Sequence, residues 1–413
     1  MFDVNEIRKD FPMLANLHQN AGHPLIYFDN AATTFKPQVV IDEVVNYYKN
    51  LSTNAHRGDY ELSYQVSAEY EKSRQTVADF INCDASCIVF TSGASMALNL
   101  VAYGYGRKFL KEGDVILSTE AEHASNILPW FKTAEETKAI IEYIALDDEG
   151  RLTVENFKKA LHDRVKVVTF ANVTNVLGFN APVKEMTRLA HEIGAVVVVD
   201  GAQGVAHIPT DVKDDDVDFF AFSGHKLCGP TGVGVLYGKY ELLDKMDPFM
   251  MGGGSNARFD ICGNVLLKDP PFKFEAGTPA IEAVLGMAKA IEYVKALSMV
   301  NVAEHERVLR EYLISKMSEL ENIIIYNAHA DTGIVTFNVK DIFAQDVANY
   351  LSKNGICVRA GNHCAKILLN FLQTSDTLRA SLFFYNTKEE VDQFVAVLKT
   401  ASLENCIATL FEE

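Results

Sequence analysis

Long apolar runs are missing from this chain of 413 residues: none reaches the ~20 residues that a membrane-spanning helix needs. A basic surplus is missing too. Asp and Glu number 55 against 38 Lys and Arg, a net charge of −17, which excludes the positive surface that nucleic-acid phosphates require. Such acidity reads mainly as a well-solvated surface. The seven cysteines (Cys83, Cys87, Cys228, Cys262, Cys357, Cys364 and Cys406) are odd in number and scattered. Reduced thiols in a cytoplasm are therefore expected, not a disulfide framework. Cys83 and Cys87 stand close together, but no second Cys/His pair accompanies them, so no metal site is expected. The start, Met1-Phe2-Asp3-Val4-Asn5-Glu6, is polar and acidic and has no leader pattern. No internal repeat or low-complexity segment is visible. What remains, 48% hydrophobic and 23% charged, is ordinary for a globular protein, and the length predicts two or three domains.

Short apolar runs alternate with amphipathic stretches from about Tyr27 to Tyr237. The strand-like runs are Ile88–Phe90, Asp114–Leu117, Val165–Phe170, Ala195–Val199, Phe219–Phe222 and Val233–Tyr237. Helical patterns lie between them over Ser67–Phe80, Ala94–Leu110, Thr153–Leu161 and Pro182–Ile193. This alternation predicts an α/β fold with a mainly parallel sheet covered on both faces. Its ligands should bind at the carboxyl ends of the strands. From Ala280 the pattern changes: helices over Ala280–Leu297, Val302–Leu320, Ala344–Lys353 and Lys388–Leu403 surround strands at Ile323–Tyr326, Gly333–Asn338 and Cys357–Arg359. A small C-terminal α+β domain is expected there. The division adopted is 16–290 and 291–413, with residues 1–15 packing on the second part.

Two residues suggest the chemistry. Asp200 closes the run Ala195–Val199, and a carboxylate ending a buried strand needs a cationic partner. A protonated pyridine nitrogen is one such partner; a helix cap or turn aspartate is the plainer reading. Lys226, in Ser223-Gly224-His225-Lys226, would be an ordinary exposed lysine in isolation. Placed between an apolar strand and Gly229-Pro230-Thr231-Gly232, it can form a Schiff base with an aldehyde, with Ser223 and His225 donating to a phosphate. Together these are the groups that pyridoxal 5'-phosphate requires of a protein. Gln203 can reach the ring's phenolic oxygen. Thr91-Ser92-Gly93-Ala94-Ser95 offers free N–H groups at a helix start, although many ordinary caps look the same. His123 can stack on a ring at the same sheet edge or simply cap a helix. Cys364 leaves a strand through Gly361 into a polar loop, with Arg359 and His363 near enough in sequence to favour thiolate; a small buried thiol is the alternative. The fork of Arg379 suits either a substrate carboxylate or a structural ion pair.

In combination these residues resemble the class V aminotransferase family, fold type I of the pyridoxal-phosphate enzymes, and within it the SufS-type (group II) cysteine desulfurases. The resemblance runs from Tyr27-Phe28-Asp29-Asn30-Ala31-Ala32-Thr33-Thr34 to Arg379–Thr387. In order it takes in Asn54-Ala55-His56-Arg57-Gly58, Val199-Asp200-Gly201-Ala202-Gln203, Ser223-Gly224-His225-Lys226, Phe274-Glu275-Ala276-Gly277-Thr278-Pro279 and Arg359-Ala360-Gly361-Asn362-His363-Cys364-Ala365. It implies a large domain with a seven-stranded type of sheet and a small C-terminal domain. Lys226 matches the Schiff-base lysine, Asp200 the pyridinium partner, Gln203 the group at the phenolic oxygen and His123 the stacking ring. Ser223, His225, Ala94 and Ser95 match the phosphate site. Thr278 matches a phosphate ligand from the other subunit, so a homodimer with shared sites is implied. Asn175, Arg379, Arg359 and His56 match substrate-binding positions, and Cys364 matches the nucleophile that becomes a persulfide. Ala94-Ser95 replaces a more usual threonine pair, Asn362 replaces the first of two histidines, and Lys366-Ile367-Leu368 replaces a Gln-Pro segment.

The implied reaction converts L-cysteine to L-alanine and passes sulfur through Cys364 to a SufE- or SufU-like acceptor for iron–sulfur cluster assembly. Rival readings on the same fold are a selenocysteine lyase, a cysteine-sulfinate desulfinase and a transaminase. A cofactor-bound scaffold without catalysis is the non-enzyme rival.

Overall fold

The computed structural model describes residues 2–16 and 18–410. Numbered along the chain, β1 (Ile26–Tyr27) stands apart. Then come β2 (Ile88–Thr91), β3 (Val115–Thr119), β4 (Ile140–Ile144), β5 (Val165–Ala171), β6 (Val196–Asp200), β7 (Phe219–Ser223) and β8 (Gly234–Gly238). These seven form one sheet in the order β2-β8-β7-β6-β5-β3-β4. It is parallel from β4 through β7, while β8 runs antiparallel to both β7 and β2.

The valine run of β6 is continuous, and β5 is largely apolar, because both faces are covered. Val167 and Val198 face a core with Leu98, Val101 and Trp130. Their neighbours Val168, Val197 and Val199 face the opposite core with Met287 and Ile291. The strand period of two thus feeds two helical layers from one apolar run. The helices are α1 (Gln38–Asn46), α2 (Glu61–Ile81), α3 (Ala94–Val101), α4 (Ala124–Thr137), α5 (Val183–Glu192) and α6 (Ile281–Leu297). The helix expected over Ala94–Leu110 loosens at Ala102–Gly106 into a wider turn. A Cβ at Gly104 would collide with the Asp247 carbonyl, and one at Gly106 with Trp130.

Buried charge ties α2 to the sheet. Glu275 accepts hydrogen bonds from Arg74 Nη1 at 2.6 Å and Nη2 at 2.9 Å, and from the Phe90 amide at 2.8 Å. Arg74 is only 1% exposed. Glu275→Gln leaves that guanidinium with Glu71 as its charged partner and should cost roughly 3 kcal/mol; chemical denaturation of the variant against wild type measures it.

The second unit begins with α7 (Met299–Met317). A four-stranded antiparallel sheet comes next, β9 (Ile323–Ile325), β10 (Ile334–Val339), β12 (Arg359–Gly361) and β13 (Thr377–Ser381), in the order β9-β10-β13-β12. With α8 (Ala344–Lys353) and α9 (Lys388–Lys399) it encloses a separate core around Leu313, Phe337, Leu351 and Phe394. The strand expected at Cys357–Arg359 is really two pieces. β11 (Ile356–Cys357) pairs in parallel with β1, whereas β12 joins the four-stranded sheet. The last expected helix ends at Lys399, and a separate one covers Leu403–Leu410.

These elements bear on the domain division. α6 runs through residue 290 without a break, and the backbone turns instead at Ser298, with φ +69°. Ile26 and Phe28 belong to the second core, not the first. The leading residues touch both units: Arg8 pairs with Glu390 at 2.8 Å, while Phe11 packs edge-on to Tyr293 and Tyr385. We propose a boundary at Ser298, with the segment around β1 assigned to the second unit.

Candidate active site

The carboxyl ends of β2, β3, β5, β6 and β7 open on one edge of the large sheet, where the second unit closes a cavity of about 240 Å³. Asp200 ends β6 and is buried; its Oδ1 accepts from the Ala202 amide at 2.9 Å. Lys226 lies on a single turn, Gly224–Lys226, directly after β7. It is half-buried on the cavity wall, and burial lowers its pKa to about 8 against the pull of Asp200. The peptide before it is firmly held. The His225 carbonyl accepts from the Thr34 amide (3.1 Å), Thr33 Oγ1 (3.1 Å), Thr34 Oγ1 (3.2 Å) and Lys36 Nζ (3.3 Å).

At the phosphate end expected from the sequence, Gly93 has φ +153°, and a Cβ there would approach Ser223 Oγ to 3.3 Å. The Ala94 amide donates to Ser223 Oγ at 2.8 Å, and Ser95 Oγ lies 2.6 Å from Ser125 Oγ. His225 is pushed down to about 4 by burial and by Lys226, so it is neutral at pH 7. His123 caps α4, its Nδ1 accepting from the Ser125 amide at 3.1 Å. That bond assigns the ring proton to Nε2, and burial lowers the pKa of this histidine. Gln203 Nε2 donates to the Ala31 carbonyl at 2.8 Å, while its buried Oε1 has no partner among the described residues.

The opposite end is built by the second unit. Arg379, on β13, is buried and donates through Nη1 to the Asn175 carbonyl at 2.9 Å. Asn175 Nδ2 in turn donates to the His363 carbonyl at 2.8 Å. Cys364 is exposed and lines the cavity. His363 and Cys364 both take positive φ, +50° and +57°. Asn362 explains how the loop holds this shape: its Oδ1 accepts from the Cys364 amide at 3.0 Å. The Cys364 carbonyl accepts from the Ala124 amide at 2.7 Å, docking the loop beside His123.

Two expectations need correction. His363 offers no positive charge to the thiol, because it is buried against Thr377 (Nε2 to Oγ1 2.9 Å) and pushed down to about 3. Arg359 does reach the cavity, but it is paired with Asp29 Oδ2 at 3.1 Å. His56 and Thr278 do not line the cavity of this chain. Both are exposed; His56 Nε2 lies 3.2 Å from Glu71, and Thr278 Oγ1 accepts from Asn54 at 3.4 Å.

Sequence reasoning missed Asp29, which binds both Arg359 and Arg379. It also missed Glu122, buried beside His123, which accepts from Thr119 (2.6 Å) and Asn126 (2.7 Å) and is pushed up to about 7 by burial. The signal for Asp29 was its place in Tyr27–Thr34; Glu122 gave none.

The family profile described as aminotransferase class-V matches residues 26–394. The chain belongs to the class V aminotransferases. Among relatives in that family, a protein of Haloferax volcanii named cysteine desulfurase is 41% identical, with 97% of each chain covered. A probable cysteine desulfurase of Halalkalibacterium halodurans is 42% identical over 94% of this chain and 96% of its own. In three dimensions a cysteine desulfurase of Escherichia coli aligns over 99% of both chains, with TM-score 0.90 and 33% identity. The apo cysteine desulfurase of Thermococcus onnurineus NA1 covers 96% of this chain and 97% of its own, at TM-score 0.90 and 38% identity. In this class V aminotransferase the cavity wall carries an exposed cysteine, Cys364.

Proposed function

We propose that the protein is a pyridoxal-phosphate-dependent cysteine desulfurase. The observation that carries this reading is the meeting of Lys226, Asp200 and Cys364 in one cavity. The residues present fit the cofactor. Asp200 is a buried carboxylate with a single main-chain donor to its side chain, suited to a ring N–H⁺. Gln203 Oε1 is an unpaired buried acceptor. The start of α3, with Ser95, Ser223 and His225, supplies neutral donors for a phosphate. When bound, pyridoxal phosphate supplies an aldehyde that an amine can hold and a ring that draws off electrons from the substrate's Cα.

Arg379 orients the substrate by its carboxylate. Lys226, whose pKa near 8 leaves part of it neutral at physiological pH, takes the Cα proton. His123, neutral with Nε2–H, moves protons on the same wall. The Cys364 thiolate attacks the substrate sulfur: a Cys364 S–S bond forms and the substrate C–S bond breaks. The electron pair of the broken bond returns to carbon, which takes up protons and leaves as L-alanine.

Transfer of the Cys364 persulfide sulfur to a SufE- or SufU-like acceptor protein for iron–sulfur clusters, in the cytoplasm, belongs to the same reading; the exposed position of the thiol supports it. A homodimer does as well. Phe249, Met251, Phe259, Ile261 and Leu266 are exposed apolar side chains along one segment, and the Gly277 amide, beside Thr278, bonds to the Gly253 carbonyl at 2.8 Å on that same segment. Thr278 and His56 would then serve the partner's cavity. Among the described residues no helix is long and apolar enough to cross a membrane. The deciding experiment is incubation with L-cysteine and then mass spectrometry of the peptide holding Cys364. A gain of one sulfur is expected; an unchanged mass alongside alanine release would refute the persulfide step.

A further inference from the structure

Two arginines, Arg359 and Arg379, line one end of the cavity, and both pair with Asp29. Asp29 Oδ1 accepts from Arg379 Nη2 at 3.2 Å, and Oδ2 accepts from Arg359 Nε at 3.2 Å and Nη2 at 3.1 Å. One carboxylate is thus divided between two guanidiniums, leaving one positive charge unmatched. The neighbouring rings add none, since burial holds His123, His225 and His363 below the usual histidine range. Arg379 is buried, and its Nε has no partner among the described residues, whereas the Arg359 side chain is 45% exposed. Arg359 also opens the strand and loop that end in Cys364. A freed Arg359 would therefore lie on the side where a substrate's side chain must reach the thiol.

We propose that Asp29 is a specificity-determining residue: by neutralising Arg359 it restricts this end of the site to one substrate anion, the α-carboxylate. Cysteine is accepted, and amino acids with a second anionic group on the side chain, such as cysteine sulfinate or aspartate, are disfavoured. The choice of substrates rests on the desulfurase reading; the charge count does not. The main-chain role of Asp29 is separable, because its carbonyl accepts from the Ala32 amide at 3.1 Å whatever the side-chain charge.

The test titrates cofactor-loaded protein with L-alanine and with L-aspartate, monitoring the cofactor's absorption, in wild type, Asp29→Asn, Arg359→Gln and the double variant. In Asp29→Asn the preference for L-alanine over L-aspartate should fall at least about tenfold, as an unscreened charge near a second anion predicts. In the double variant one positive charge again stands unmatched, and the preference should return to the wild-type value. Arg359→Gln alone leaves Asp29 to neutralise Arg379, and L-alanine should bind at least about fivefold more weakly. Relative kcat/KM for cysteine sulfinate against cysteine should keep the same order. An unchanged preference in Asp29→Asn, or one still shifted in the double variant, would overturn the proposal; so would wild-type alanine affinity in Arg359→Gln. Should wild-type protein release no alanine from cysteine, the desulfurase reading fails, and the binding preferences still judge Asp29.

Discussion

Lys226→Ala should lower cysteine turnover at least about a thousandfold and remove the visible absorption band of the cofactor-loaded protein. Among the described residues lining the cavity, Lys226 is the one primary amine. No neighbour can replace it as a covalent holder of the aldehyde or as the base at Cα. Lys36 lies close in sequence to the cavity-lining Ala31 and Ala32, but its Nζ is committed to Thr33 Oγ1 and the His225 carbonyl behind the loop. Asp200, Ser223 and the start of α3 remain in the variant, so the cofactor should still bind, with the spectrum of a free aldehyde. A retained band, or turnover within about tenfold of wild type, would show that the lysine has been misassigned.

Cys364→Ser separates sulfur chemistry from cofactor chemistry. The loop owes its shape to main-chain atoms of residue 364, which bond to Asn362 Oδ1 and the Ala124 amide, so serine should leave it in place. The visible band should persist. Alanine release from cysteine should fall at least about a hundredfold, because an alcohol at this position is a poor nucleophile toward sulfur. With selenocysteine or cysteine sulfinate the loss should be much smaller, since cleavage of those bonds need not pass through a protein thiol. Wild-type release of alanine from cysteine by the serine variant would sink the persulfide step.

The strands best read from the sequence were those buried on both faces. Ala195–Val199 is apolar throughout and Val165–Phe170 is interrupted only by Lys166 and Thr169, and the valines of both feed the two cores. β4 escaped notice because it is an edge strand, with Glu142 in its middle and only Ile144 fully buried. β1 is two residues long, and its partner lies some 330 residues away. Nothing local specifies it. Much the same holds for the site. Lys226, Asp200 and Cys364 announce themselves by their immediate neighbours in the chain. Asp29 acquires its role only when Arg359 and Arg379 arrive on adjacent strands, and Glu122 only when Thr119 and Asn126 close around it. His363 shows the converse error: adjacency in sequence to Cys364 suggested a helper, but the left-handed turn sends its ring to Thr377 instead.

The stretch from Tyr27 to Lys36 has a mechanical consequence. One end is a strand of the second unit, where the Ser381 amide also bonds to the Phe28 carbonyl at 2.6 Å. The other end grips the carbonyl that precedes Lys226. From Tyr27 to Thr34 is about seven residues, which span at most ~25 Å even when fully drawn out. The two units are therefore joined here by a short tie, besides the chain's passage through Ser298. Asp29 stands near the start of the tie and the lysine loop at its end. One length of chain thus links the carboxylate that pairs with Arg359 and Arg379 to the loop that carries Lys226.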